Sequence, residues 1–142
     1  MNMGSILIHG ETIKKRREKT DEIICNIDSN LVKSEHPDRL TIENEDKKKN
    51  IGISQIRKIT EFLSTKPYSS KYKVVVIYSA EKMTTQAQNA LLKTLEEPPF
   101  FAIIILTAKT EQTLLPTVLS RCRKMKADGG GEELFEDSED FV

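Results

Sequence analysis

The chain has 142 residues, 37% of them apolar and 31% charged, so one domain with its own hydrophobic core can form. No apolar run approaches the roughly 18 residues of a membrane span, and the N-terminus lacks the pattern of a secretory signal peptide. The two cysteines allow at most one disulfide and are too few for a four-cysteine zinc site. We therefore expect a soluble cytoplasmic protein with reduced thiols.

The net charge of zero hides an uneven distribution along the chain. All 22 lysines and arginines precede residue 127, whereas seven of the 22 acidic residues follow it. Residues 1–127 therefore form a basic body of net charge +7, and residues 128–142 an acidic tail of −7. The tail's composition predicts solvated disorder beyond a glycine hinge at residues 129–131. The alternative is a segment that covers a basic surface or mimics a nucleic acid.

Four short segments predict β-strands, each with β-branched or other apolar residues. The last two are apolar on both faces, which is typical of strands inside a parallel sheet covered by helices. In chain order, the four segments are residues 5–10, 39–43, 73–78 and 102–107.

Segments with apolar residues at helical spacing lie between these strands. Ser54 is a candidate N-cap for the second helix, and Thr84 or Thr85 for the third. Leu91 and Leu95 share one face of the third helix, and we expect both to be buried against the sheet. The alternation of strands and helices predicts an α/β doubly wound domain. The three helical segments are residues 11–27, 54–67 and 84–97.

The first strand ends at Gly10 and leads into a helix, which is where a phosphate-binding loop would lie. Such a loop needs a second glycine, then a lysine, then a serine or threonine. Backbone N–H groups wrap the phosphates, and the hydroxyl holds Mg²⁺. Those positions hold Lys15, Arg16 and Arg17. Because the glycine and the hydroxyl are both missing, we expect no nucleotide cofactor here, although Arg16 could still meet a phosphate.

The third strand should end in the carboxylates that hold Mg²⁺ in an ATPase. Tyr78 and Ser79 stand there instead, so this magnesium site is degenerate as well. Glu81 comes two residues too late and is predicted to be a solvent-exposed charge at a helix start. Two independent losses argue against ATP hydrolysis more strongly than either loss alone.

Other catalytic groups are sparse. His9 and His36 have no partner at a meaningful spacing, and we expect each to be structural or exposed. Cys25 lies among isoleucines and is predicted to be a core residue, and Cys122 to be buried or inert. We predict neither a metal nor a nucleophile–base pair.

Two long motifs lie in the second half of the chain: NALLKTLEEPP at residues 89–99 and LPTVLSRC at residues 115–122. Shorter supporting pieces precede the first of them, including His-Pro-Asp at residues 36–38 and Ala-Glu-Lys-Met at residues 80–83. Over residues 5–125 the chain resembles the bacterial DNA polymerase III clamp loader. The delta-prime subunits match best, followed by the gamma/tau motor subunits.

The resemblance implies a three-layer AAA+ core, with a five-stranded parallel sheet, helices on both faces and no helical lid. The fifth strand is expected near residues 124–126. In that family the arginine of the Ser-Arg-Cys motif reaches a neighbouring subunit's ATP site, so Arg121 would be an arginine finger in trans. Ser120 and Cys122 would place it. Thr107 falls at the family's sensor position and would keep only a packing role.

The resemblance also implies partners and a location for the finger. The partners would be ATP-binding motor subunits of the loader, with the sliding clamp and primer–template DNA met at most indirectly. We expect Arg121 to be exposed at the carboxyl edge of the sheet. The alternative is an internal salt bridge to Glu96 or Glu97.

Several departures from the family pattern leave two functions open. The family's zinc module, helical lid and collar are missing from this sequence, which predicts a fragment or a minimal relative. Delta-prime subunits commonly lack ATPase function, so the degenerate loop favours a non-catalytic clamp-loader subunit in DNA replication. The alternative is a stand-alone interaction or regulatory module derived from an AAA+ core.

Overall fold

The sheet at the centre of the molecule has five parallel strands. A computed structural model of the chain describes residues 4–44 and 49–128, so the predicted glycine hinge and all of the acidic tail after Asp128 lie outside the described residues. The strands lie in the order β2-β3-β4-β1-β5, and every neighbouring pair is parallel. They are β1 Ser5–His9, β2 Arg39–Ile42, β3 Lys73–Ile77, β4 Ala102–Ala108 and β5 Arg123–Lys126.

Helices cover both faces of this sheet. One face packs against α1, and the other against α2, α3 and α4. None of the described helices is long and apolar enough to cross a membrane. The helices are α1 Ile13–Ile27, α2 Ile53–Phe62, α3 Thr85–Glu96 and α4 Pro116–Leu119. Short 3₁₀ turns occupy Ser29–Val32, Ala80–Lys82 and Glu111–Thr113.

The two apolar layers follow from the alternation of side chains along the central strands. Val75 of β3 joins the layer that contains Leu91 and Leu95, whereas Val74 joins the layer that contains Ile24 of α1. Leu91 is fully buried and Leu95 is 5% exposed, which confirms the prediction for this helix face. A strand that is apolar throughout therefore serves two layers, as its sequence indicated.

The helix starts differ in how well the sequence predicted them. Thr84 caps α3 by accepting a hydrogen bond from the Ala87 N–H at 3.0 Å, as one of the two predicted candidates. The prediction for Ser54 was wrong, because Gly52 occupies the N-cap of α2. The backbone of Ile51 bonds to Lys82 and Thr84, and the helix begins directly after this fixed point.

The inward face of α1 also differs from the prediction. Cys25 is exposed rather than buried in the core. The buried positions of α1 are Arg16, Lys19, Thr20, Ile23 and Ile24. Cys25 follows Ile24 and is therefore turned about 100° away from the buried face. The run of isoleucines around it gave no sign of that rotation.

Candidate functional site

The connection from β1 to α1 is short. Only Gly10, Glu11 and Thr12 separate the strand from the helix. The Thr12 hydroxyl accepts a hydrogen bond from the Lys15 N–H at 3.2 Å, and the Thr12 carbonyl accepts one from the Arg16 N–H at 3.2 Å. These two N–H groups are therefore satisfied within the helix start rather than left open to a phosphate.

Close packing against Ala127 explains why a glycine stands at position 10, without reference to any ligand. A Cβ atom at this position would lie 2.8 Å from the Cβ of Ala127, which is closer than real Cβ contacts allow. The Gly10 N–H donates to the Ala108 carbonyl, and the Ala127 N–H donates to the His9 carbonyl. The glycine thus lets the ends of β1, β4 and β5 approach one another.

Arg16 and Arg17, two of the three cations at the start of α1, contact groups of the protein itself. Arg16 is 4% exposed, and its Nη1 donates to the Gly10 carbonyl at 2.5 Å. The Arg16 guanidinium, which we expected could meet a phosphate, is thus engaged within the domain. Arg17 lies 3.9 Å from the centre of the Tyr78 ring, and its Nη2 lies 2.9 Å from Glu43 Oε1.

Tyr78 and Ser79, at the predicted position of the degenerate magnesium site, both form hydrogen bonds within the domain. The Tyr78 side chain is buried, and its hydroxyl accepts a hydrogen bond from Arg39 Nη2 at 3.1 Å. Ser79 has a positive φ of 54°, and its N–H donates to Thr107 Oγ1 at 2.9 Å. Thr107 is 2% exposed, so its hydroxyl holds the turn after β3 in addition to packing in the core.

Glu81 is more buried than the sequence predicted. It lies in the 3₁₀ turn Ala80–Lys82, is partly buried, and its Oε1 is buried without a hydrogen-bond partner among the described residues. The reason is that the chain closes a tight turn before α3 rather than entering that helix directly, so this carboxylate sits against the turn.

An open cavity of about 420 Å³ lies at the carboxyl ends of β1, β4 and β5. Its lining mixes cations and anions, among them His9, Glu11, Lys109, Glu111 and Lys126. His9 Nε2 lies 3.7 Å from Glu111 Oε2. This mixture offers a polyphosphate little net attraction. Within residues 4–44 and 49–128, no three His, Cys, Asp or Glu side chains are grouped to hold a metal.

The Ser-Arg-Cys motif lies at the amino edge of the sheet, opposite the degenerate loop. Arg121 directly precedes β5, which is parallel to β1, whereas Gly10 directly follows β1. The prediction that Arg121 lies at the carboxyl edge is therefore wrong. The motif leads into a strand instead of following one, and parallel strands all begin at the same edge.

The backbone around Arg121 is fixed by its neighbours. Ser120 Oγ donates to the Thr117 carbonyl at 3.0 Å, and the Ser120 N–H donates to the Pro116 carbonyl. The Cys122 side chain is buried in the core, and this burial raises the pKa of its thiol to about 11. The thiol is therefore neutral near pH 7 and acts as an apolar anchor.

The Arg121 side chain is both exposed and paired. It is 44% exposed, and its Nη2 lies 3.0 Å from Oε2 of Glu96, which is 45% exposed. The predicted exposure and the alternative salt bridge to Glu96 thus occur together. Glu96 is the last residue of α3, and helices of this fold run back toward the edge where the strands begin.

The His-Pro-Asp segment has a structural role that the sequence did not indicate. The fully buried Asp38 carboxylate accepts backbone hydrogen bonds from Tyr68, Ser69 and Ser70 at 2.6, 2.8 and 2.8 Å. His36 Nδ1 accepts a hydrogen bond from the Asp38 N–H at 2.9 Å, so a neutral His36 carries its proton on Nε2. With Nε2 protonated, His36 cannot take a proton from Ser69, whose Oγ lies 3.4 Å away.

The strand order and the helices on both faces of the parallel sheet together define a P-loop NTPase-like α/β domain of the AAA+ kind. The predicted fold class is confirmed. A family model described as DNA polymerase III, delta subunit, matches residues 3–128. The chain belongs to this family, which confirms the resemblance inferred from its motifs.

Curated relatives include delta-prime subunits of DNA polymerase III. The one from Pseudomonas aeruginosa is 37% identical over 98 residues, which cover 69% of this chain and 30% of that protein. The one from Escherichia coli is 41% identical over 88 residues, which cover 62% of this chain and 26% of that protein. The chain matches less than a third of the length of either relative.

Solved structures agree with this assignment. A DNA polymerase III gamma subunit-related protein from Thermotoga maritima has a TM-score of 0.71 and 33% identity, over 96% of this chain and 45% of that chain. The Bacillus subtilis DNA clamp loader delta protein has a TM-score of 0.62 and 11% identity, over 88% of this chain and 38% of that chain. The second likeness supports the fold alone.

Proposed function

We propose that this chain acts as a non-catalytic clamp-loader subunit in DNA replication and supplies Arg121 in trans to the ATP site of a neighbouring motor subunit. The observation that carries the proposal is the position of Arg121 at the amino edge of the sheet. The five residues of β1 separate that edge from the degenerate loop by roughly 16 Å. This separation supports a role on a phosphate of another chain rather than on one bound by this chain.

The state of the degenerate loop supports the absence of ATPase activity. Arg16 is buried and donates a hydrogen bond to the Gly10 carbonyl, and the Lys15 N–H donates one to the Thr12 hydroxyl. Tyr78 and Ser79 replace the carboxylates that would hold Mg²⁺. A domain with these groups has neither a backbone cradle for phosphates nor a metal site for hydrolysis.

The ion pair with Glu96 is no obstacle to this role. Both side chains are nearly half exposed, and exposed pairs of this kind contribute about 0.2–1 kcal/mol. An arginine finger contributes a factor of roughly a thousand or more to the rate, which corresponds to about 4 kcal/mol. Arg121 can therefore engage a neighbouring phosphate at little cost.

The test is a reconstituted loader in which this chain is combined with motor subunits from the same organism. We expect Arg121→Ala to lower the ATPase rate of the motor by about a thousandfold while this chain still assembles and folds. Lys66→Ala is the matched control, since Lys66 is an exposed cation that precedes β3 at the same edge. A loader that keeps its full rate with Arg121→Ala would favour the stand-alone module instead.

A further inference from the structure

Two acidic residues stand at the carboxyl end of α3, where they are locally unfavourable. Glu96 is the last residue of the helix and Glu97 is its C-cap. The helix dipole places partial negative charge at this end, so an anion there costs about 0.3–1 kcal/mol. Violations of a local rule are expected where a residue serves a function.

The structure distinguishes the two carboxylates. Glu96 pairs with Arg121, whereas Glu97 lines a separate cavity between α2 and α3. The contact to Glu96 uses a single N–H···O hydrogen bond from Nη2. An arginine side chain has five N–H donors in a fixed planar arrangement, so the two N–H groups of Nη1 remain for a second anion. A phosphate can therefore bind Arg121 without displacing Glu96.

We propose that Glu96 is a positioning residue for Arg121. Resting on the proposed function, this inference adds that Glu96 holds the guanidinium through Nη2 while Nη1 binds the phosphate of the neighbouring ATP. A free arginine side chain has about 2 kcal/mol of rotamer entropy to lose on reaching a phosphate. The ion pair, together with the fixed backbone at Ser120 and Cys122, removes part of that loss in advance.

The loader assay tests the positioning role directly. We expect Glu96→Ala to lower kcat of the motor about tenfold with an unchanged KM for ATP, within the roughly hundredfold that a 1 Å misplacement can cost. Glu96→Gln should recover part of the rate, because its amide oxygen still accepts a hydrogen bond. Glu97→Ala, the matched control one residue away, should leave kcat unchanged. A kcat that rises with Glu96→Ala would overturn the proposal, since Glu96 would then sequester Arg121.

The double variant separates this inference from the function on which it rests. Glu96→Ala should add no further loss to Arg121→Ala, because positioning matters only while the guanidinium is present. If Arg121→Ala slows the motor but Glu96→Ala does not, the positioning role is wrong and the proposed function stands. If neither variant slows it, the proposed function is wrong and the positioning role falls with it.

A measurement on the full chain alone reports on the pair without any partner. The guanidinium NMR signals of Arg121 should move toward those of a free arginine in Glu96→Ala and stay unchanged in Glu97→Ala. Identical Arg121 signals in the native chain and in Glu96→Ala would overturn the proposal, since no positioning contact would then exist in solution.

Discussion

Three buried charged side chains of this domain, Arg16, Asp38 and Arg39, form hydrogen bonds to backbone groups. Arg39 Nη1 donates to the carbonyls of Leu31 and Val32, and Arg16 donates to that of Gly10. Asp38 is the anionic counterpart. Burial alone raises the pKa of Asp38, but hydrogen bonds from three backbone N–H groups outweigh it and hold the pKa below its usual range. The carboxylate thereby fastens the segment before β3 to the start of β2.

Asp38→Asn should destabilise the protein by about 2–3 kcal/mol at pH 7, since hydrogen bonds to a charged acceptor contribute about 1.5–3 kcal/mol. The native pKa of Asp38 is lowered, so its contribution is complete above the unfolded-state pKa near 4 and is lost as the pH falls through the folded-state value. Urea unfolding at pH 7, 4 and 3 should therefore show the difference shrinking on acidification. Asp21→Asn, at an exposed position of α1, is the control and should change little at any pH. A difference that grows toward low pH would contradict this account.

At the scale of elements, the sequence predicted those strands and helices that the spacing of apolar residues marks. The first four strands appeared as short apolar runs, whereas β5 was expected only from the family resemblance. Helix α3 appeared from its threonine cap and from Leu91 and Leu95 on one face. The rotation of α1 was missed, because its buried face includes Arg16 and Lys19. Arg16 contacts the Gly10 carbonyl and Lys19 contacts Glu22 on the same helix, and neither cation stands out in the sequence as a buried residue.

The candidate site was predicted less well than the fold, for a topological reason. The sequence identified Arg121 by its motif, but its edge of the sheet follows from the direction of β5, which pairs with β1. The contact of Thr107 also depends on the strand order, because its hydroxyl accepts a hydrogen bond from the Ser79 N–H, which follows the neighbouring strand. Contacts between residues far apart in the chain become visible only when the strand order is known.

Leu95→Ala should lower the free energy of unfolding by about 2–5 kcal/mol, because Leu95 is buried in the layer between α3 and the sheet. Leu92→Ala on the same helix is the control, since Leu92 is only partly buried and should cost less. Urea unfolding of both variants gives the comparison. Equal losses would mean that α3 is rotated relative to the sheet.

At the scale of the whole molecule, the two edges of the sheet carry different groups. At the carboxyl edge, where a nucleotide would bind, Arg16, Arg17 and Thr107 make internal contacts. The open cavity of about 420 Å³ lies at the same edge. The amino edge presents the Arg121–Glu96 pair to solvent. A domain arranged in this way can complete a site on another chain without having one of its own.

The expected consequence is that Mg²⁺–ATP does not raise the melting temperature of the isolated chain. A ligand at a hundred times its Kd stabilises the native state by about 2.7 kcal/mol, which for a chain of this size raises Tm by several degrees. Binding here would require Arg16 to leave the Gly10 carbonyl and Thr12 to release the Lys15 N–H. Thermal unfolding over micromolar to millimolar Mg²⁺–ATP measures the shift, with an ATP-binding motor subunit as the positive control. A saturable rise of several degrees would show that the loop binds nucleotide, and Arg121 would then belong to a subunit with a site of its own.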